Sequence, residues 1–207
     1  MKQDLQNSSF DKRFDHIFST LKKRSFLNLE DIGNDLPFFI CPYKAKEALE
    51  MEKMRKNLVT SLLKAGVTIK EINIYDLCVE ILKKNKDWDF YIEEETQMSK
   101  QELKEELQSI LDIETVVVPE IAEILNQSDY DIVFISGIGE VYPYLRSHNI
   151  LNNLQSTIKN CPMLMFFPGE YTNSMESGAF LELFGKLHDD KYYRAFNIYH
   201  YQIKSED

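Results

Sequence analysis

Three short, almost wholly apolar runs constrain this chain more than any other feature: Pro37–Cys41 (PFFIC), Asp131–Ile135 (DIVFI) and Pro162–Pro168 (PMLMFFP). Each is too short for a buried helix and is closed by proline, glycine or serine, so each reads as a strand buried on both faces. Val67–Ile74 alternates (Val67, Ile69, then Ile72, Ile74) and predicts a further strand, and Arg194–Tyr199 a last one at a sheet edge. Helical spacing fills the intervals. Phe14, Ile17, Phe18 and Leu21 form one stripe behind a cap at Ser9 or Asp11, after a polar lead over residues 1–8. Lys44–Ala65 predicts a long helix with Leu49, Met51, Met54, Leu58, Leu62 and Leu63 near one side, stopped by Gly66. Shorter helices are expected from Tyr75 to Leu82 and from about Tyr144 to Ile158. Strands separated by helices give an α/β fold: a three-layer sandwich around a mainly parallel sheet of about five strands.

The middle of the chain changes character. Between Asp87 and Glu106 there are eight acidic residues and two lysines, a local balance of −6. Ser99 with Glu102 has the spacing of a capping box, and Pro119 precedes a stripe of Ile121, Ile124 and Leu125. Residues 85–128 therefore read as an acidic helical insertion within a single domain spanning 1–207, a size that one hydrophobic core can serve.

With 34 acidic against 24 basic residues the net charge is −10, which argues against strong direct binding to DNA. The one basic run, Lys22-Lys23-Arg24, fits the C-terminal end of the first helix. Cys41, Cys78 and Cys161 lie far apart in apolar contexts and read as reduced buried thiols of a cytoplasmic protein, without zinc spacing. The N-terminal segment MKQDLQNSSF has no signal-peptide core, and no apolar run is long enough for a bilayer, so no membrane association is expected.

Five of the seven glycines fall after residue 136, and two clusters follow directly on strand ends, where open α/β sheets place ligands. The candidate interaction or ligand residues are accordingly Gly137, Gly139, Glu140, Arg146, His148, Asn149, Glu170, Tyr171 and Arg194. Tight turns and helix caps explain the same pattern equally well. No phosphate-loop sequence exists; Lys44 or Lys46 before a long helix is a faint echo of one, and Gly137-x-Gly139 is a weak dinucleotide signal. Ser136-Gly137 lacks a nucleophile elbow, and His188-Asp189-Asp190 points its side chains in different directions, against a metal site. The aromatics Tyr192, Tyr193, Phe196, Tyr199 and Tyr201 around Arg194 suit an interface or a half-buried edge strand. The residues leave two function classes standing: an interaction subunit, or a divergent nucleotide- or nucleic-acid-dependent enzyme with a degenerate P-loop or Rossmann-like site.

The segments PFFICPY (37–43), NIYDL (73–77), GIGEVYPYLRSHNILNNLQS (137–156), MFFPGEY (165–171) and LFGKLHDDKYYRAFNIYHY (183–201) resemble the BrxB family, small subunits of the bacteriophage exclusion (BREX) defence systems. The resemblance runs from about Phe10 to Tyr201. It implies a non-enzymatic role without cofactor or metal, in a system that combines a DNA methyltransferase, a large ATPase and a PglZ-type protein of alkaline-phosphatase fold. The PglZ-type protein is the expected direct partner, and no catalytic residues carry over.

Overall fold

The computed structural model describes residues 5–30, 37–174, 178–189 and 195–201. In chain order the elements are α1 (Phe10–Leu21), α2 (Arg24–Leu27), β1 (Phe38–Tyr43), α3 (Ala48–Lys64), β2 (Ile69–Asn73) and α4 (Ile74–Lys84). Then come α5 (Asp87–Glu94), α6 (Lys100–Ile110), a π turn (Ile113–Val117), α7 (Val118–Leu125) and β3 (Ile132–Ser136). The chain continues through α8 (Ser147–Leu154), β4 (Met163–Ser174), β5 (Gly178–Leu183), β6 (Leu187–Asp189) and β7 (Phe196–Asn197). The sheet order is β2-β3-β4-β1-β7, all neighbours parallel, with β5 added antiparallel to the outer half of β4 and β6 antiparallel to β5.

The apolar runs read as they do because both faces of the sheet are covered. Phe38, Ile40, Val133, Ile135, Met163, Met165 and Phe167 join one core with α4, α7 and α8. Their alternates Phe39, Cys41, Ile132, Phe134, Leu164 and Phe166 join a second core with α1, α2 and α3. The result is the expected three-layer α/β arrangement. Pro42 is tolerated because β7 reaches only Phe39 and Ile40, so no neighbour on that side asks for its missing N–H. The acidic segment places Tyr91, Leu107, Leu111, Val117 and Ile121 in the first core, and Ser99 and Glu102 form the capping box. Its outer face keeps the charges in water.

Three local expectations need correction. Leu49 and Leu63 are 75% and 52% exposed, because the buried face of α3 follows Met51, Met54, Leu58 and Leu62, the 3–4 spacing, and leaves both neighbours outside it. The helix expected from 144 to 158 is shorter, α8, preceded and followed by turns. β4 does not stop at Pro168: it runs on to Ser174 and pairs with β5, an antiparallel arm rising beyond the parallel sheet.

One charged side chain in α1 is buried. Arg13 is 1% exposed, on the same stripe as Ile17 and Leu21. Its Nε donates to the Tyr199 hydroxyl at 3.0 Å and its Nη1 to Glu47 Oε2 at 3.1 Å. Its guanidinium carbon lies 4.5 Å from the centre of the Phe10 ring. Burial alone would lower its pKa; Tyr199 and Glu47 more than offset that and raise it. The Tyr199 hydroxyl also meets Cys41 Sγ at 3.2 Å. Removing one member of a buried pair leaves the other charge uncompensated, at a cost of about 3–5 kcal/mol. Glu47→Ala is therefore expected to lose about that much in urea unfolding, whereas Arg24→Ala, which breaks an exposed 3.4 Å pair with Asp131, should lose no more than about 1 kcal/mol. Equal losses would contradict the assignment.

Candidate functional site

The parallel strands deliver their C-terminal ends to one rim. There Asn73 ends β2 and caps α4, its Oδ1 accepting from the N–H groups of Tyr75 at 2.9 Å and Asp76 at 3.3 Å. Gly137 follows β3 with φ +77°, and a Cβ on it would collide with the Asn73 side chain and sit 2.8 Å from the Tyr75 nitrogen. A Cβ on Gly139 would lie 2.8 Å from Pro168 and 3.0 Å from Phe184. Both glycines are thus explained by close packing of the β3 exit on its neighbours. Tyr171 is 4% exposed and its hydroxyl donates to the Ala195 carbonyl oxygen; His148 is 6% exposed inside α8, where Asn149 is half-buried. Glu140, Arg146 and Glu170 are exposed on the rim, while Arg194 lies outside the described residues, as do Tyr192 and Tyr193. The candidate set therefore divides into side chains that hold the rim together and three charges that it presents.

The sheet also has a switch point. After β1 the chain crosses to α3 in the second core, whereas β4, the strand beside it, leads into the arm, whose Leu181 and Leu183 join the first core. Ligands of open α/β sheets gather where neighbouring connections diverge in this way. A cleft of about 610 Å³ lies there. Lys44 and Ala45, just after β1, face Gly169–Thr172 of β4 across it, and Asn197 and His200 close the side next to β7. The N-terminal turn covers it: Lys44 Nζ donates to Asn7 Oδ1 at 2.8 Å and Asn197 Nδ2 to Gln6 Oε1 at 3.2 Å. Sequence reasoning weighed Lys44 only as a phosphate-loop echo and passed over Gln6, Asn7, Asn197 and His200. Strand order, which brings residues 6, 44, 170 and 200 together, was the missing signal.

The first turn after β1 already holds an anion. Glu47 Oε2 accepts from the Lys44 N–H at 3.2 Å as well as from Arg13. A phosphate approaching that turn would meet this carboxylate. On the same rim, burial first and the negative charge of Glu140 next push the Tyr43 phenol well above its ordinary pKa.

The thiols are not poised as nucleophiles. Burial pushes Cys41 and Cys161 up to about 11 and Cys78 to about 12. An unfolded thiol ionises near about 8.5, so between there and pH 11 the unfolded chain binds fewer protons than the folded one. Stability should therefore be complete below pH 8 and fall as pH rises from 8.5 to 11, with a shallower fall in Cys78→Ala; identical slopes would count against a buried Cys78. A second measurement addresses the rim. Gly137→Ala is expected to lose more than about 1 kcal/mol, because alanine suits neither the positive φ nor the space, and a melt unchanged from that of the parent would refute the packing role.

Among the described residues, no helix is long and apolar enough to cross a membrane. A family model described as "BREX protein BrxB" matches residues 70–198. The chain is 33% identical over 194 residues to the BREX protein BrxB of Bacillus cereus (strain H3081.97), covering 90% of this chain and 96% of that one. It is 26% identical over 186 residues to the BREX protein BrxB of Escherichia coli O9:H4 (strain HS), covering 90% of each. No solved structure matches. The family match spans β3, α8, β4 and the arm, and with it the chain belongs to the BrxB family of BREX anti-phage systems.

Proposed function

We propose that this protein is a non-catalytic assembly subunit of a BREX complex, and that its C-terminal rim docks another subunit, the PglZ-type protein first among the candidates. The observation that carries the reading is the arm. It lifts Glu170 beyond the parallel sheet and returns beside Pro168 into a turn flanked by Phe184, 39% exposed, and Leu187, 38% exposed, on the rim that also presents Glu140 and Arg146. Partly exposed apolar side chains among exposed charges suit a docking surface with a polar margin. The buried thiols and the carboxylate already seated after β1 favour this reading over a degenerate nucleotide enzyme.

The test is co-purification of the tagged protein from cells carrying its whole gene neighbourhood. The PglZ-type subunit is expected to be recovered with it. Glu140→Arg or Arg146→Glu should weaken that recovery by about 2 kcal/mol or more, the scale of a hot spot, with the melt unchanged because both side chains are exposed. Recovery of no BREX subunit, or magnesium-dependent ATP hydrolysis by the isolated chain, would overturn the proposal.

A further inference from the structure

The turn that brings the arm back to the rim is built on an unfavourable residue. Leu183–Lys186 closes on a hydrogen bond from the Lys186 N–H to the Leu183 carbonyl oxygen at 3.2 Å, and both central residues have positive φ, Phe184 at 58° and Gly185 at 65°. Asn-Gly serves such a turn best, because asparagine and glycine enter the left-handed region with least strain. A phenylalanine there is strained by its own Cβ. The Phe184 N–H donates to the Pro168 carbonyl oxygen at 2.8 Å, which holds the residue level with the end of the parallel pairing of β1 and β4.

Neither core offsets that strain, since Phe184 joins neither of the two buried clusters. Among the described residues it is the one exposed large apolar side chain on a left-handed backbone. The ring nevertheless has a seat. A Cβ on Gly139 would lie 3.0 Å from Phe184, so glycine at 139 leaves room for the ring against the β3 exit. A ring seated in the free protein loses less freedom when a partner covers it. Two carboxylates stand near: Glu140 follows Gly139 directly, and Glu170 pairs across the arm with Glu182, two residues before Phe184. Glu140 and Glu170 are exposed, and among the described residues neither forms an ion pair, with Lys186 of the same turn or with any other cation.

We infer that Phe184 is the anchor by which another BREX subunit grips this chain. A ring held on a tight turn is a knob, and its complement is an apolar socket on a folded surface of the partner. Basic groups at the margin of that socket meet Glu140 and Glu170. Aromatic anchors in pockets carry most of the energy of an interface, and charges around them set its orientation. Backbone strain persists at such places because binding, not folding, requires the residue. This rests on the reading of the chain as an assembly subunit and names the side chain through which the rim acts.

Phe184→Asn and Phe184→Gly test it, because each relieves the turn while removing the ring. Tagged wild type and both variants are expressed with the full gene neighbourhood, and thermal melts of the purified proteins are set beside their recovery of BREX subunits. Both variants should melt as high as wild type or higher, and recovery should fall about tenfold or more. A diazirine-bearing phenylalanine introduced at position 184 should cross-link to apolar residues of a folded domain with Arg or Lys beside them. Undiminished recovery by both variants overturns the anchor and leaves the assembly role standing. Melts lowered in both by more than about 3 °C assign the ring to internal packing and overturn it too. A cross-link to an extended tail overturns the socket. Recovery of no BREX subunit by wild type removes the assembly role, and this inference with it.

Discussion

The guanidinium of Arg13 is the group around which the second layer of the molecule is arranged. The turn before α3, β1, α1 and the turn after β7 all contribute to its surroundings, through Glu47, Cys41, Phe10 and Tyr199. Tyr199 is itself 3% exposed, and burial raises its phenol well above the ordinary value, so the hydroxyl stays protonated and available to both neighbours. A buried cation tolerates few alternative packings, because any arrangement that withdraws Glu47 leaves the charge without its counterion in an apolar site. The interaction therefore ties residues near the two ends of the described chain to one register. It also fixes the start of α3: the carboxylate that neutralises Arg13 is the one that accepts from the Lys44 N–H. Lys44, which lines the cleft, is thus held in place by a charge that never reaches the surface.

That arrangement bears on what the rim can do. In a phosphate-binding α/β protein the turn after the first strand offers free N–H groups and the positive end of a helix to a ligand. Here the protein supplies its own anion at that turn. The glycines after β3 are spent on close packing, and the ring of Tyr171 on holding the arm against Ala195. What remains outward is a set of charges, a half-exposed turn at Phe184 and Leu187, and the cleft at β4. Such features suit the docking role proposed for the rim, in a chain that belongs to the BrxB family of BREX anti-phage systems.

Much of the fold was legible because burial on both faces leaves a simple mark. The runs ending at Cys41, Ile135 and Phe167 could be nothing but covered strands, and Ser99 with Glu102 announced a helix start through side chains that reach their own backbone. The exposed charges of the site were legible for a related reason: Glu140 and Glu170 follow the apolar runs of β3 and β4, and strand ends of one parallel sheet share a rim. Arg13 was hidden in plain spacing. It stands four residues before Ile17 and eight before Leu21, on the buried stripe, but an arginine reads as polar until its partners, 34 and 186 residues away, are known. The extension of β4 escaped notice because Gly169, Glu170, Thr172 and Asn173 lack the apolar alternation of a covered strand; partner pairing, not composition, makes them one. The burial of His148 and Tyr171 and the position of the cleft depended on the strand order, which no local pattern encodes.

Cross-linking with mass-spectrometric mapping in cells carrying the whole gene neighbourhood tests the proposed docking role most directly, since it reports which face of the protein meets other BREX proteins. An acid-to-lysine cross-linker applied there should place most links to other BREX proteins at Lys44, Glu140, Glu170 and Lys186, the reactive side chains of the rim and arm. Links concentrated instead on the outer faces of α3 or α6, with the rim residues unlinked or linked only within the chain, would contradict the account.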